Sequence, residues 1–320
     1  MSKTIVLFHK ACNDGIAAAW AVNEVLPTRE LGEVQYIPYQ YGDELPLEIW
    51  GNHVIMVDLS LPPAMFEAIC VEVASILIID HHKTAEALSN IIRPVRTYSE
   101  YRNLRMAGKN TFLYLDKRFS GAVLAWAFFN DIEHLTEETP IPQALTLIQD
   151  YDLWRHKLVE TRSFNAWLAA GPRTIERFSS ALNEDGSVKH DVIEAGRTLV
   201  EYDHRIALGI ARQYTRSLHW NGREVATVNA PAHLRNEVAD ILLADYDMVV
   251  CYTVRKDKIV YSLRSNEDVD VRAIAEEFGG GGHHTAAAFT AISENGELKA
   301  LQWLHPKPTF WQRLKRLFRQ

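Results

Sequence analysis

The chain has 320 residues, 47% of them hydrophobic, and a formal charge of −7 at neutral pH. That length exceeds what one core usually serves, so two domains are expected, and the composition is ordinary for a soluble globular protein. The negative balance excludes a protein that coats long nucleic acid by general electrostatics; short nucleotides stay open, because bound divalent cations offset a cluster of acids.

Three cysteines, Cys12, Cys70 and Cys251, are too few and too odd in number for a disulfide framework, which points to a reducing compartment. The apolar run at the N-terminus is too short for a signal peptide, and no run reaches the about 20 apolar residues of a membrane span. A cytoplasmic protein is expected.

In chain order, residues 5–8 form an apolar strand that runs into His9-Lys10-Ala11-Cys12-Asn13-Asp14-Gly15. Residues 15–25 read as a helix, with alanines at 17, 18, 19 and 21 that favour it and allow close packing on a sheet. A short strand follows at 34–37. A third strand at 54–57 ends in Asp58. The spacing of Phe66, Ile69, Cys70 and Val73 predicts a helix over 62–74, with Pro62 and Pro63 near its start. Ile76-Leu77-Ile78-Ile79 then runs directly into Asp80-His81-His82. Alternating strands and helices imply an α/β fold with a parallel, doubly wound sheet. One Asp-His-His alone reads more readily as a solvated turn. Three strand ends with ligand-type residues are different, because in a parallel sheet those ends share one edge, where ligands bind.

The stretch 92–118 is locally basic through Arg93, Arg96, Arg102, Arg105, Lys109, Lys117 and Arg118. It reads as solvated surface, with a loop that meets an anionic substrate as the alternative. Helices are expected at 120–129 and 141–149, the second running into Asp150-Tyr151-Asp152-Leu153-Trp154. Residues 174–216 are helical, charged and bridging. Beyond them, strands at 225–228, 248–254 and 259–263 and helices at 235–244 and 271–278 form a smaller α/β domain. It holds Gly279-Gly280-Gly281-Gly282-His283-His284 followed by three alanines. Consecutive glycines offer backbone N–H groups to an anion, and a helix is expected behind them. The tail 305–320 is basic and amphipathic. It packs on the body or a second subunit of a homodimer, or meets nucleic acid or a membrane surface.

Together these stretches resemble the DHH phosphoesterase superfamily, in its branch with a C-terminal DHHA1 domain. Asp80-His81-His82 matches the triplet that names it. His9 and Asp14-Gly15 match its opening motif, with Cys12 where an aspartate is usual. Asp58 matches the lone aspartate of the second motif, Asp150 is the first choice for the fourth with Asp152 the fallback, and Gly280-Gly281-Gly282-His283 with Ala286-Ala287 resembles the glycine-rich motif.

The resemblance implies a catalytic domain over 1–190, a helical connector over 191–216, a substrate-binding domain over 217–304 and an active site in the cleft between domains. It implies two divalent cations, Mn²⁺ or Mg²⁺. One would rest on Asp14, Asp58, His81 and Asp150; the other on His9, Asp58 and whatever Cys12 contributes, as thiolate ligand or neutral bystander. Asp80 would orient a histidine and His82 would serve the scissile phosphate. Gly281, Gly282, His283 and Arg264 would hold the rest of the substrate. The implied activity is hydrolysis of phosphodiester bonds in short nucleotides, cleaved cyclic dinucleotides included, with long duplexes excluded. A pyrophosphatase or polyphosphatase and a nucleotide-binding regulatory module with a degenerate metal site are the competing readings.

Overall fold

The structure is a computed structural model that describes residues 2–26, 32–255 and 258–292. The chain divides into two units, Met1–Val200 and Glu201–Gln320. The basic tail at 305–320 lies outside the described residues.

The first unit is built on strands β1 (Thr4–His9), β2 (Val34–Tyr39), β3 (His53–Val57), β4 (Ser75–Asp80), β5 (Arg93–Pro94) and β6 (Thr111–Leu115). All pair in parallel, in the order β2-β1-β3-β4-β6-β5. The order reverses between β1 and β3, and the crevice at such a switch point is where open α/β sheets take ligands.

Around the sheet lie α1 (Asn13–Asn23), α2 (Pro63–Ile69), α3 (Lys83–Glu86), α4 (Tyr98–Met106), α5 (Gly121–Phe129), α6 (Gln143–Asp152), α7 (Thr161–Ala169) and α8 (Ile175–Ser180). Both faces of the central strands β1, β3 and β4 are buried, so their interiors are apolar at successive positions rather than at every second one. In β4, Leu77 and Ile79 enter one core with α1 and α5, while Ile76 and Ile78 enter the other with Phe66 and Ile69 of α2. Burial of each such side chain is worth about 1.5–3 kcal/mol. Helix α1 follows from its alanines: Ala17, Ala18 and Ala19 are fully buried, and with no side chain beyond Cβ they let α1 lie close to α5.

Two expectations change here. The basic residues of 92–118 do lie at the surface, Arg105 half-buried, but the stretch is not a loop: it contains β5, α4 and β6, and β6 lies within the sheet with Phe112 fully buried. Its basic residues flank a short apolar core, Thr111-Phe112-Leu113-Tyr114-Leu115, that they masked. Arg96 and Arg118 line a separate cleft of about 710 Å³. The helix expected over 62–74 closes earlier, at Ile69.

Helix α9 (His190–Tyr214) leads into the second unit. That unit contains β7 (Arg216–Trp220), β8 (Arg223–Asn229), β9 (Met248–Arg255), β10 (Lys258–Ser265), β11 (Gly281–Gly282) and β12 (Ala286–Ile292), with α10 (Arg235–Leu242) and α11 (Val271–Glu277). The strand order is β11-β12-β10-β9-β8-β7, antiparallel except between β8 and β9. The segment behind the glycines is therefore a strand and not the expected helix. Pairing with β10 along its length, and stacking of Phe289 on Tyr261 at 4.8 Å between ring centroids, outweigh the helix preference of three alanines. Among the described residues no helix is long and apolar enough to cross a membrane.

Candidate metal centre

The carboxyl ends of β1, β3 and β4 bring His9, Asp58 and Asp80 to the switch-point edge. Asp58 follows β3 in the left-handed region, at φ 57°. A non-glycine residue there is strained by on the order of 1–3 kcal/mol and persists only where its surroundings force it. The force is local. The Asp58 N–H donates to the Ile79 carbonyl at 3.0 Å, and a Cβ on Gly121 would lie 2.6 Å from the Asp58 Cβ, so α5 begins directly against this residue. Gly15 plays the matching part at β1. A Cβ there would stand 2.3 Å from the His9 carbonyl oxygen.

Asp14, in the first turn of α1, is 1% exposed, and its two oxygens accept N–H bonds from Gly121 (2.6 Å) and Ala122 (3.1 Å). It thereby closes the N-terminus of α5, where a helix dipole favours negative charge. Asp80 is fully buried. Its Oδ1 accepts from the backbone N–H groups of His81 (2.8 Å) and His82 (3.2 Å) and from His82 Nδ1 (2.7 Å). The imidazole of His82 is thus held by one nitrogen while its side chain stays 42% exposed.

His81 is at the centre. Its Nε2 lies 3.2 Å from Asp58 Oδ1, 3.5 Å from Asp152 Oδ2 and 3.8 Å from Asp14 Oδ2. Burial lowers its pKa, but the Asp58 hydrogen bond and the charges of Asp14 and Asp152 outweigh burial and push it up to about 10. For Asp58 the balance mirrors this: burial raises its pKa, yet the His81 hydrogen bond, the close His9 imidazole and the charge of His82 bring it well below the usual carboxylate range. Burial and neighbouring Asp58 push Asp152 up to about 6 and raise Asp14. Burial also raises Cys12, helped by Asp58, Asp14 and Asp152, so without a cation its sulfur is a neutral thiol.

These side chains form three overlapping groups: Asp58, Asp80, His81 and His82; His9, Cys12 and Asp58; and Asp14, His81 and Asp152, with ligand atoms in each group within 4.8 Å of one another. Asp58 belongs to two of them. Its Oδ2, 3.4 Å from His9 Nδ1, is buried without a well-formed hydrogen bond, as are His9 Nδ1 and Asp80 Oδ2. Buried carboxylate oxygens left in this state are costly, and a cation among them removes the cost. Oxygen and imidazole donors suit Mn²⁺ and Mg²⁺, so the residues fit the group that the sequence motifs imply.

Of the two candidates for the fourth motif, the structure places Asp152 and not Asp150 in the cluster. Asp150 is committed elsewhere: its carboxylate accepts from the backbone N–H groups of Lys157 (3.0 Å) and Leu158 (3.1 Å) and from the Thr161 hydroxyl. Helix α6 runs on through Asp152, so the acidic pair lies in its last turn. In the second unit Arg264 donates to the Leu263 carbonyl and to Asn236 Oδ1, both at 2.7 Å. The backbone of Gly281 and Gly282 pairs with β12, and His283 N donates to the Ala286 carbonyl at 2.7 Å.

Arg173 and Asn13 carry no motif and escape sequence reasoning. Arg173 Nε donates to Asn13 Oδ1 at 2.9 Å, and Asn13 Nδ2 donates to the carbonyl oxygen and Oδ1 of Asn165. Asn13 lies between Cys12 and Asp14, so a guanidinium is fixed one hydrogen bond from the motif. Only the fold brings residues 13, 165 and 173 together.

Residues 225–304 match the family model of the DHHA1 domain. An uncharacterized protein of Acanthamoeba polyphaga mimivirus is 28% identical over 311 residues, covering 90% of this chain and 68% of that protein. Among solved structures, an exopolyphosphatase-related protein from Bacteroides fragilis covers 100% of this chain and 94% of its own at 14% identity, with a TM-score of 0.50. The pGpG-specific phosphodiesterase PggH of Vibrio cholerae aligns over 91% of this chain and 94% of its own at 13% identity and a TM-score of 0.49. RecJ of Thermus thermophilus, solved with Mn²⁺, aligns over 91% and 50% at 13% identity and 0.47. The chain shares the fold of that exopolyphosphatase-related protein, and its C-terminal part, residues 225–304, matches the DHHA1 domain.

Proposed function

We propose that the protein is a metal-dependent phosphoesterase that hydrolyses phosphodiester bonds of short nucleotides. The observation that carries this reading is the overlap of three ligand groups, joined through Asp58 and His81, at the switch point of the first sheet. Asp14, Asp58, His81 and Asp152 would hold one divalent cation; His9 and Asp58, with Cys12 beside them, would hold the second. Bound there, such cations supply a nucleophile at neutral pH by lowering the pKa of water and neutralise phosphate oxygens.

The chain's own side chains then do the rest. Asp80 fixes the His82 imidazole through Nδ1, which leaves Nε2 to hold a proton for the departing oxygen. Arg173, oriented by Asn13, offers its terminal nitrogens to a phosphate oxygen. Arg264, His283, Gly281 and Gly282 of the second unit are the candidates for holding an anionic group of the substrate. Cys12, Cys70 and Cys251 are free thiols, as suits a cytoplasmic enzyme.

The test is product analysis with Mn²⁺ or Mg²⁺ on a dinucleotide, a pentanucleotide, a long single strand, pyrophosphate and polyphosphate. Fastest release of mononucleotide from the shortest substrates is expected. Orthophosphate from the inorganic compounds alone would move the reaction to phosphoanhydrides. No product from any of them, with cation bound, would leave a regulatory module.

A further inference from the structure

The segment after Asp152 carries a feature that this chemistry does not use. Trp154 and His156 are both left-handed, at φ 57° and 48°. Neither is a glycine or an asparagine, so the backbone is strained twice within three residues. The segment is also tightly braced. The Asp150 carboxylate accepts from Lys157, Leu158 and Thr161, and the Asp150 carbonyl accepts from the N–H groups of Arg155 (2.9 Å) and His156 (3.2 Å). Arg155 ties it outward, donating to Glu137 and to the Arg118 carbonyl at 3.0 Å each.

What this bracing presents is an aromatic ledge. Trp154 is 52% exposed. His156 stands edge-on to it at 81°, with 4.7 Å between ring centroids, and Tyr151 is tilted at 59° and 6.4 Å. Both neighbours meet the indole at steep angles, so neither stacks on it. An exposed indole on a strained, immobilised loop adds little to stability, and strain of this kind gathers where a ligand is met. It lies two positions beyond Asp152, which belongs to the metal-ligand cluster.

We propose that Trp154 is the stacking platform for a nucleobase of the substrate, beside the phosphate acted on at the cluster. The position of that phosphate rests on the phosphoesterase reading. The platform narrows that reading to base-bearing substrates, since an inorganic phosphate chain has nothing to stack. Every base has a π-face, so the preference is for a base as such and not for one sequence.

The experiment compares kcat/KM for a dinucleotide and for the matched dinucleotide with an abasic sugar, in the wild type, Trp154→Asn and Trp154→Phe. Asparagine tolerates the left-handed backbone, so the first variant removes the ring while keeping the loop. The preference for the base-bearing compound should fall by about tenfold in Trp154→Asn and be largely kept in Trp154→Phe. An equal preference in wild type and Trp154→Asn overturns the proposal. A second readout needs no hydrolysis: quenching of tryptophan fluorescence by a nucleoside 5′-monophosphate with Mg²⁺ present. Quenching that is lost in Trp154→Phe supports the platform; none in the wild type, or as much in the variant, rejects it. If the wild type cleaves neither dinucleotide, the phosphoesterase reading fails, and the fluorescence titration still decides the platform.

Discussion

The edge of the first sheet and the glycine hairpin of the second treat their polar groups in opposite ways. In the first unit four carboxylates (Asp14, Asp58, Asp80, Asp152) and three imidazoles (His9, His81, His82) crowd together, and buried atoms of Asp58, Asp80 and His9 lack well-formed hydrogen bonds. In the second, Arg264 bonds to Asn236 and a carbonyl, Asp270 caps α11 through the N–H groups of Arg272 and Ala273, and His284 bonds to the Glu267 carbonyl. One region leaves buried carboxylate and imidazole atoms without hydrogen bonds. The other has spent most of its polar groups on its own backbone and side chains, the buried Nε of Arg264 excepted. The crowding raises Asp14 and Asp152, and His81, raised by the same carboxylates, offsets part of their charge.

The largest effect should come from the shared carboxylate. Asp58→Asn keeps a residue that accepts the left-handed backbone but removes the charge common to two ligand groups. Loss of both cations is expected, with turnover falling by more than the roughly 100-fold that loss of a supporting partner costs. Metal analysis and dinucleotide hydrolysis on the purified variant check this; full occupancy with full activity would sink the metal centre.

Next comes the pair two residues apart. Asp152→Asn should lower cation binding in a calorimetric titration and barely move the melting temperature. Asp150→Asn should do the reverse, costing about 1.5–3 kcal/mol of stability through weakened charged hydrogen bonds. Exchange of these two outcomes would return Asp150 to the cluster.

Arg264→Ala probes whether the second region meets substrate at all. A raised KM equivalent to about 1.5–3 kcal/mol, with metal content unchanged, is expected if the guanidinium contacts a phosphate. An unchanged KM would mean that Arg264 serves only Asn236 and the Leu263 carbonyl.

The smallest effect is electrostatic. His284 is exposed, and its pKa is raised by the hydrogen bond to the Glu267 carbonyl and by Asp270. A raised folded-state value means that its contribution is fully present below the unfolded pKa of about 6.5 and is lost as pH rises through the folded one. An NMR titration should place the His284 midpoint above that of a free imidazole, and Asp270→Asn should bring it down. A midpoint at the ordinary value, unmoved by that substitution, would show that these contacts do not persist in solution.

Much of the first region was legible in the sequence because its signals are local. Apolar runs ending in His9, Asp58 and Asp80 specify buried strands with polar ends, and a parallel sheet necessarily gathers such ends along one edge. Order in the chain therefore dictated proximity in space, and the glycines at 15 and 121 supplied the close approach. Other features were beyond local reading. β6 is five residues between basic flanks, and only its place between β4 and β5 makes it core. β12 has the composition of a helix, and its pairing with β10 decides otherwise. Asp150 and Asp152 have the same side chain, but two positions on a helix turn it by about 200°, so they face nearly opposite ways. Which of them meets His81 and which braces the loop under Trp154 depends on how α6 packs, and that was settled only by tertiary structure.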